Sequence, residues 1–457
     1  MDKKLWNRIQ SFEFEKFGEN YGFVTRLATE QKWTDDFTER AILEYKKFMY
    51  LAATGNQMVS PSKIVDEVWH LHLIFTESYA KFCTILGKTI KHIPSTHDPK
   101  EYTTFITAKE WTEAQYKKHF GVQPEDIWNA NEFLANLPIQ EAKWGHNEWR
   151  FVLGIASLVL GIASYNLLMP AFSTIEGEQF LMLYILGFVA LLSISPSILK
   201  VFQGMILSKV EDQHNLNQFE SYELAATKQH GTAIMIHGTV NSLIEKDVLS
   251  IDSTGTITLN NKGYTGHKIE NLVTREINAK YKHYGVNYSN LYTELEQHPI
   301  VKQVETTAEF IKTKLLSTKA MQNLYFGIIA IFLSFFSIGM SRLAFGWTHG
   351  KPIAFLVIVL IIMAGITVAQ SNRYYYYFFD KSLPKHYEKT ALSSEEASTP
   401  EWSYFLIGSA ALVTDFKPAV KETNTTGSAW TGSCGGGCGS GCGGGCGGCG
   451  GCGGCGG

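Results

Sequence analysis

The sequence predicts a mainly α membrane protein. A helical cytoplasmic N-terminal domain precedes a transmembrane hairpin, a winged-helix-like α+β middle domain, a second hairpin and a disordered Gly/Cys-rich tail. Three observations carry this expectation. Four apolar segments contain no ionisable residue at all, the stretches between them show ordinary charge and helical periodicity, and seven of the eight cysteines lie between Cys434 and Cys455. Charge over the 457 residues is close to balanced, with 40 Lys plus Arg against 43 Asp plus Glu. No global field would therefore draw the chain onto nucleic acid or an acidic surface.

The first twenty residues, MDKKLWNRIQSFEFEKFGEN, are charged and carry no apolar core or small-residue cleavage site. That argues against a cleaved secretory signal and for a start in the cytoplasm. The N-terminal domain is expected over residues 1–140. From Phe37 to Ala53, apolar residues at Ile42, Leu43, Tyr45, Phe48, Met49 and Leu51 form a helical stripe. A second helix is expected to start with Ser60 as N-cap and Pro61 at its first position, and to stop at Gly87. Trp111 and Trp128 fall in further short helical stretches.

The segments 151–169, 180–198, 324–340 and 353–369 are each near the length needed for about 30 Å of hydrocarbon. Their Gly, Ser and Pro residues are compatible with spanning helices. Lys143 and Arg150 precede the first span, whereas the connector from Pro170 to Gln179 has no Lys or Arg. Lys200 and Lys209 follow the second, Lys312, Lys314 and Lys319 precede the third, and Arg373, Lys381 and Lys385 follow the fourth. The excess of basic residues places the N-terminal region, the middle region and the C-terminus in the cytoplasm of a cell (inner) membrane protein. Arg342 and Lys351, expected in the second outside connector, run against that bias. The run from Arg373 to Phe379 suits an interfacial aromatic belt or the packing of an adjacent helix. A transporter would need ionisable groups inside the spans, and none is there.

Residues 199–320 read as helix, turn, helix and then a hairpin with strands at Val248–Ile251 and Thr256–Leu259. That order is winged-helix-like. Residues 211–316 nevertheless hold 10 Lys plus Arg against 13 Asp plus Glu, which makes nucleic acid an unlikely partner and a protein partner the better expectation. Residues 370–425 are expected to be a linker.

The segment VDEVWHLHLIFTESYAKFC and the following GKTIKHIP, with Val65, Asp66, Trp69, His70, His72, Tyr79, Phe82, Cys83, Gly87, His92 and Pro94, resemble the glycine-rich domain-containing protein family. The whole layout, ending in a Gly/Cys tail, is similar to a group of bacterial multi-pass membrane proteins. The resemblance implies an architecture and no activity.

His70 and His72 lie about 200° apart on a helix, so they cannot share one ion there. Asp66 and His70, at i and i+4, share a face, and His92, or His97 with Asp98, would complete a zinc or iron site of imidazole and carboxylate. The alternative is that Trp69 and His70 make buried hydrogen bonds that lock the helix to the following loop. Cys83 beside Phe82 reads as a small buried apolar residue.

Residues 426–457 are Gly-rich and bear Cys434, Cys438, Cys442, Cys446, Cys449, Cys452 and Cys455. Reduced thiols at that density suit a soft ion such as zinc or copper(I), although a repeat expansion would give the same spacing. The leading reading is a membrane-anchored binding or scaffold protein with the lipid bilayer and a protein as partners. The alternative is a metal-dependent enzyme centred on Asp66, His70 and His92.

Overall fold

The computed structural model describes residues 1–14, 21–93, 102–130, 142, 146–211, 219–281 and 284–426. Among these the chain is mainly helical, with one small sheet. The N-terminal unit contains α1 (Lys3–Gln10), α2 (Phe23–Gln31), α3 (Asp35–Thr54), α4 (Lys63–Ile74), α5 (Thr76–Leu86), α6 (Tyr102–Phe120) and α7 (Glu125–Trp128). The long α3, capped by Thr34, buries the expected stripe apart from the half-buried Leu43, with Tyr45, Phe48 and Met49 at its centre. Burying such side chains is the main favourable term in folding. Glu44 is the polar exception on this face. Its carboxylate accepts from Tyr116 Oη and Trp128 Nε1, both at 2.8 Å, and pairs with Lys47 at 2.7 Å. A buried charge is tolerable only when paired in this way, and these bonds fasten α6 and α7 to α3.

The expected second helix is really two. Its N-cap is Ser62, whose Oγ accepts from Val65 N at 3.2 Å, rather than Ser60, whose N–H donates to Thr112 Oγ1 at 3.0 Å. The helix breaks at Phe75 (ψ 65°), where the ring packs edge-on against Phe23, 5.5 Å away. As expected, α5 stops at Gly87, whose φ of +79° is the left-handed conformation glycine adopts without steric cost. Trp111 lies in the 19-residue α6, a longer helix than its local sequence suggests.

His72 is fully buried among Phe14, Phe23, Tyr79 and Phe82. Both ring nitrogens are used, Nδ1 with Tyr45 Oη at 2.9 Å and Nε2 with Ser78 Oγ at 3.1 Å. Burial holds its pKa down at about 4.

Next come α8 (His146–Ala163), α9 (Tyr165–Thr174) and α10 (Gly177–Glu211), and later α16 (Lys319–Thr348) and α17 (Ala354–Tyr377). Three of these helices are long and apolar enough to cross a membrane, or four crossings result if the bent pair α8 and α9 counts as one span. The first expected span, 151–169, is thus interrupted: the chain turns by 60° at Ser164. Nor does α8 pack chiefly on α10 as a hairpin would require. It runs parallel to α16, from Ala142 N on the Ser317 carbonyl (2.9 Å) through Ser341 Oγ on the Gly161 carbonyl (2.6 Å) to Tyr165 Oη and Thr348 Oγ1 (2.9 Å). Gly161 allows this approach, because a Cβ there would lie 2.9 Å from Met340 Cβ. Ile162, Leu167 and Ile361 are more than two-thirds exposed, so apolar side chains face outward from the bundle.

Arg342, expected in a connector, lies inside α16 and is buried. Its Nη1 donates to the Phe172 carbonyl at 2.5 Å and its Nη2 to the Ile175 carbonyl at 2.9 Å, among the rings of Phe172, Phe180 and Phe345. One guanidinium thereby caps the C-terminus of α9. In the aromatic run, Tyr374, Phe378 and Phe379 pack inward, with Tyr374 Oη 2.5 Å from Ser195 Oγ.

The middle unit comprises α11 (Ser221–Thr227), α12 (Gly231–Glu245), β1 (Leu249–Ile251), β2 (Thr256–Leu259), α13 (Lys268–Lys280), β3 (Val286–Asn287), α14 (Tyr288–Glu296) and α15 (Pro299–Leu316). The sheet is antiparallel in the order β1-β2-β3, with Ser250 opposite Thr258 and Ile257 opposite Val286. The N-terminal unit is bolted to it: Tyr222 Oη donates to Asp35 Oδ2 at 2.6 Å, Lys268 Nζ to Asp35 Oδ1 at 2.9 Å, and Thr307 Oγ1 to the Trp33 carbonyl at 3.0 Å. The expected linker, 370–425, contains further structure. π-helical turns at Phe378–Ser382 and Tyr387–Ala391 flank α18 (Leu383–His386), followed by α19 (Ser394–Ala397), α20 (Pro400–Ile407) and α21 (Lys417–Thr426). This arm folds onto the middle unit. Tyr404 packs over Gly238, Asn241 bonds to the Ala411 carbonyl and Val413 N, and Phe416 meets Tyr288. The tail lies outside the described residues.

Two outcomes are expected. Arg342→Met leaves the Phe172 and Ile175 carbonyls without their donor and lowers stability by about 1–3 kcal/mol, read as a lower Tm in detergent. His72 stays neutral when folded but takes a proton near pH 6.5 when unfolded, so its contribution is lost as pH falls from about 6.5 to 4. The loss reaches about 3 kcal/mol, and His72→Gln flattens that part of the denaturation profile recorded by Trp fluorescence.

Candidate metal centre

Helix geometry sorts the polar side chains of α4. Four residues turn a helix by about 400°, so Asp66 and His70 emerge together, while His72 points away into the core just described. The third group arrives from another segment. The turn at Gly87 sends the chain back along α4, where Trp69 Nε1 donates to Tyr79 Oη at 3.2 Å and Tyr79 Oη donates to the Ile90 carbonyl. Burial pushes the Tyr79 hydroxyl up to about 12, so it remains a proton donor over the physiological range. With Ile90 held in this way, His92 lies over α4, its ring edge-on to Trp69 at 4.6 Å.

There the three side chains converge. His92 Nε2 is 2.9 Å from Asp66 Oδ1 and 3.0 Å from His70 Nε2, and His70 Nε2 is 3.6 Å from Asp66 Oδ2. One ligand atom from each lies within 4.8 Å of the others. Zinc–nitrogen bonds of about 2.0–2.1 Å at tetrahedral angles place neighbouring ligand atoms about 3.3–3.4 Å apart, close to the separations found here. Two facing imidazole nitrogens at hydrogen-bond distance also need a proton between them, since two lone pairs repel. An ion would replace that proton.

Of the residues expected from sequence, Asp66, His70 and His92 are brought together. His97, Asp98 and the seven tail cysteines lie outside the described residues. Cys83 is buried on α5, as its apolar surroundings suggest. The alternative of a helix locked to its loop is half realised: Trp69 supplies the lock through Tyr79, whereas the His70 side chain is 52% exposed and belongs to the cluster. Sequence reasoning missed the Tyr79 relay, although the Trp69-to-Tyr79 spacing across a break was its one visible trace.

A family model described as UCP032817-like matches residues 7–105, a stretch that contains Asp66, His70 and His92 and ends before α8. No curated protein and no solved structure matches the chain.

Proposed function

We propose that this chain is an integral membrane protein that crosses the bilayer four times, keeps its soluble units on one face, and binds one divalent transition-metal ion in its N-terminal unit. Zinc is the ion best suited to a donor set of two imidazoles and one carboxylate, with iron(II) the other candidate. The observation that carries the metal reading is the convergence of Asp66, His70 and His92 from two chain segments. The role we propose for this unit is binding. In the winged-helix-like order of α11, α12, β1 and β2, the middle unit offers a surface for a protein partner.

Contacts support the topology. Because Asp35 and Trp33 are bonded to the middle unit, the chain must leave and re-enter the same side between Ala142 and Phe219. The 35-residue α10 supplies one passage, so α8 must supply the other, with α9 lying at the far surface. Alongside α8, the stretch of α16 from Lys319 to Ser341 is about 34 Å long, sufficient for the hydrocarbon layer. The same logic makes α16 and α17 a pair, since the C-terminal arm returns to α12. Basic residues flanking the spans assign the shared face to the cytoplasm.

Isothermal titration of detergent-purified chain with all seven tail cysteines replaced by Ser tests the metal. One Zn²⁺ per chain is expected, with affinity at least 100-fold lower in His70→Ala and no change in circular dichroism, because that side chain is half exposed. No His70-dependent zinc binding would sink the reading. For topology, Glu178→Cys in a chain with every native cysteine replaced should react with an impermeant maleimide in intact cells, and Ser250→Cys only after permeabilisation. The reverse pattern would invert the orientation, and labelling of both would refute four crossings.

A further inference from the structure

The ends of α10 and α17 nearest the middle unit run side by side and carry positive charge that the protein itself leaves unbalanced. Ser195 Oγ of α10 lies 2.5 Å from Tyr374 Oη, and eight residues further along each segment Gln203 Oε1 accepts from Ser382 Oγ at 2.6 Å. Equal intervals between the two contacts mean that the segments descend in parallel, over about 12 Å at 1.5 Å per residue. Tyr325 Oη of α16 joins them, donating to the Tyr375 carbonyl at 3.1 Å, with Gln203 Nε2 3.5 Å away. This knot fixes the π-helical turn Phe378–Ser382 against α10.

Lys200, Lys381 and Lys385 lie on this paired stretch, all three exposed and none in an ion pair among the described residues. Residues 195–207 contain no carboxylate, and between Ser371 and Tyr387 there is only Asp380. That group is turned to the middle unit, where its Oδ1 accepts from Gln229 N at 3.0 Å. Beside the lysines the surface is apolar: Val201, Phe202 and Met205 are 61%, 48% and 47% exposed. The 35-residue α10 is about 52 Å long, some 20 Å more than the hydrocarbon layer requires, so its last turns reach headgroup level and beyond. Cations set beside exposed apolar side chains suit a molecule that has both a phosphate and acyl chains, whereas a free anion would use only the first.

We infer that the junction of α10 with this π-helical turn binds an anionic phospholipid, its phosphate held by Lys200, Lys381 and Lys385 and its acyl chains lying along Val201, Phe202 and Met205. The inference rests on the four-crossing reading above, which puts this level of the bundle at a membrane surface. Each basic side chain at such a surface favours an anionic lipid by about fivefold. Because the same turn holds Gln229 through Asp380, the headgroup would rest on the link between the membrane helices and the middle unit.

Native mass spectrometry of the full chain in detergent, mixed with equal amounts of phosphatidylglycerol and phosphatidylcholine, reads the retained lipid directly. Phosphatidylglycerol is expected to be retained about tenfold or more over phosphatidylcholine, and the preference to fall below about threefold when Lys200→Gln, Lys381→Gln and Lys385→Gln are combined. Changing the same three lysines to Arg keeps the charge and should keep the preference. Lys63→Gln, Lys109→Gln and Lys117→Gln together, at exposed positions of the N-terminal unit, lower the net charge equally and should leave it unchanged. Four results would overturn the proposal: equal retention of the two lipids by the unmodified chain, an undiminished preference in the Gln triple, the same loss in the Arg triple, or displacement of the lipid by inorganic phosphate but not by chloride at equal ionic strength, which would mark a site for a free anion. Inverted maleimide labelling would instead fail the topology reading and leave this measurement standing, because a micelle has no sides.

Discussion

The arrangement of the whole chain turns on Asp35. Its carboxylate takes the Tyr222 hydroxyl and the Lys268 ammonium while its backbone N–H donates to Glu223 at 3.0 Å, so one residue at the start of α3 is bonded to both α11 and α13. Burial and the neighbouring Asp35 push the Glu223 carboxyl up to about 8, while Lys268 pairs with the Asp35 carboxylate at 2.9 Å. Together with Thr307 Oγ1 on the Trp33 carbonyl, this junction holds the N-terminal unit against the middle unit. With it in place, the helices α8 to α10 start and end at one assembly of two bonded units.

Hydropathy alone leaves features of the bundle between them arbitrary. The bend at Ser164 starts the short α9, and the carbonyls at its end, on Phe172 and Ile175, need donors. Arg342 provides the donors from α16, the helix against which α8 is already aligned by Ser341 on Gly161. A guanidinium is suited to the task because its fork reaches two carbonyls while its flat faces stack against aromatic rings.

Much of this was legible in the residues, and the boundary of legibility has a physical cause. The four charge-free segments correspond to apolar helices, three of them long enough to cross a membrane and the fourth only if a bent pair counts as one, and the hairpin strands were located to within one residue because Gly255, at φ +77°, marks the turn. The bend at Ser164, the true N-cap at Ser62 and the fold of 370–425 all depend on partners distant in sequence: Ser341, Thr112, Gly238 and Asn241. Local pattern carries no record of them. Within the candidate centre the same division holds. Asp66 and His70 follow from helix periodicity, whereas His92 is placed by the Gly87 turn and by a tyrosine bond to the Ile90 carbonyl, which no spacing rule encodes.

The two histidines of Asp-x-x-Trp-His-x-His show how one short motif serves two ends. His72 faces inward with both nitrogens satisfied, and its neutral ring is part of the packing that fixes α4. His70, two residues earlier, faces solvent on the helix that His72 immobilises. The bonds of His72 to Tyr45 and Ser78 hold α4 from its inner side, so the two histidines act on opposite faces of one helix. The outer side is met by the segment bearing His92, held through the Ile90 carbonyl. An ion bound at the proposed centre would join that segment to α4 through His92 and the Asp66–His70 pair, on the side of the helix opposite His72.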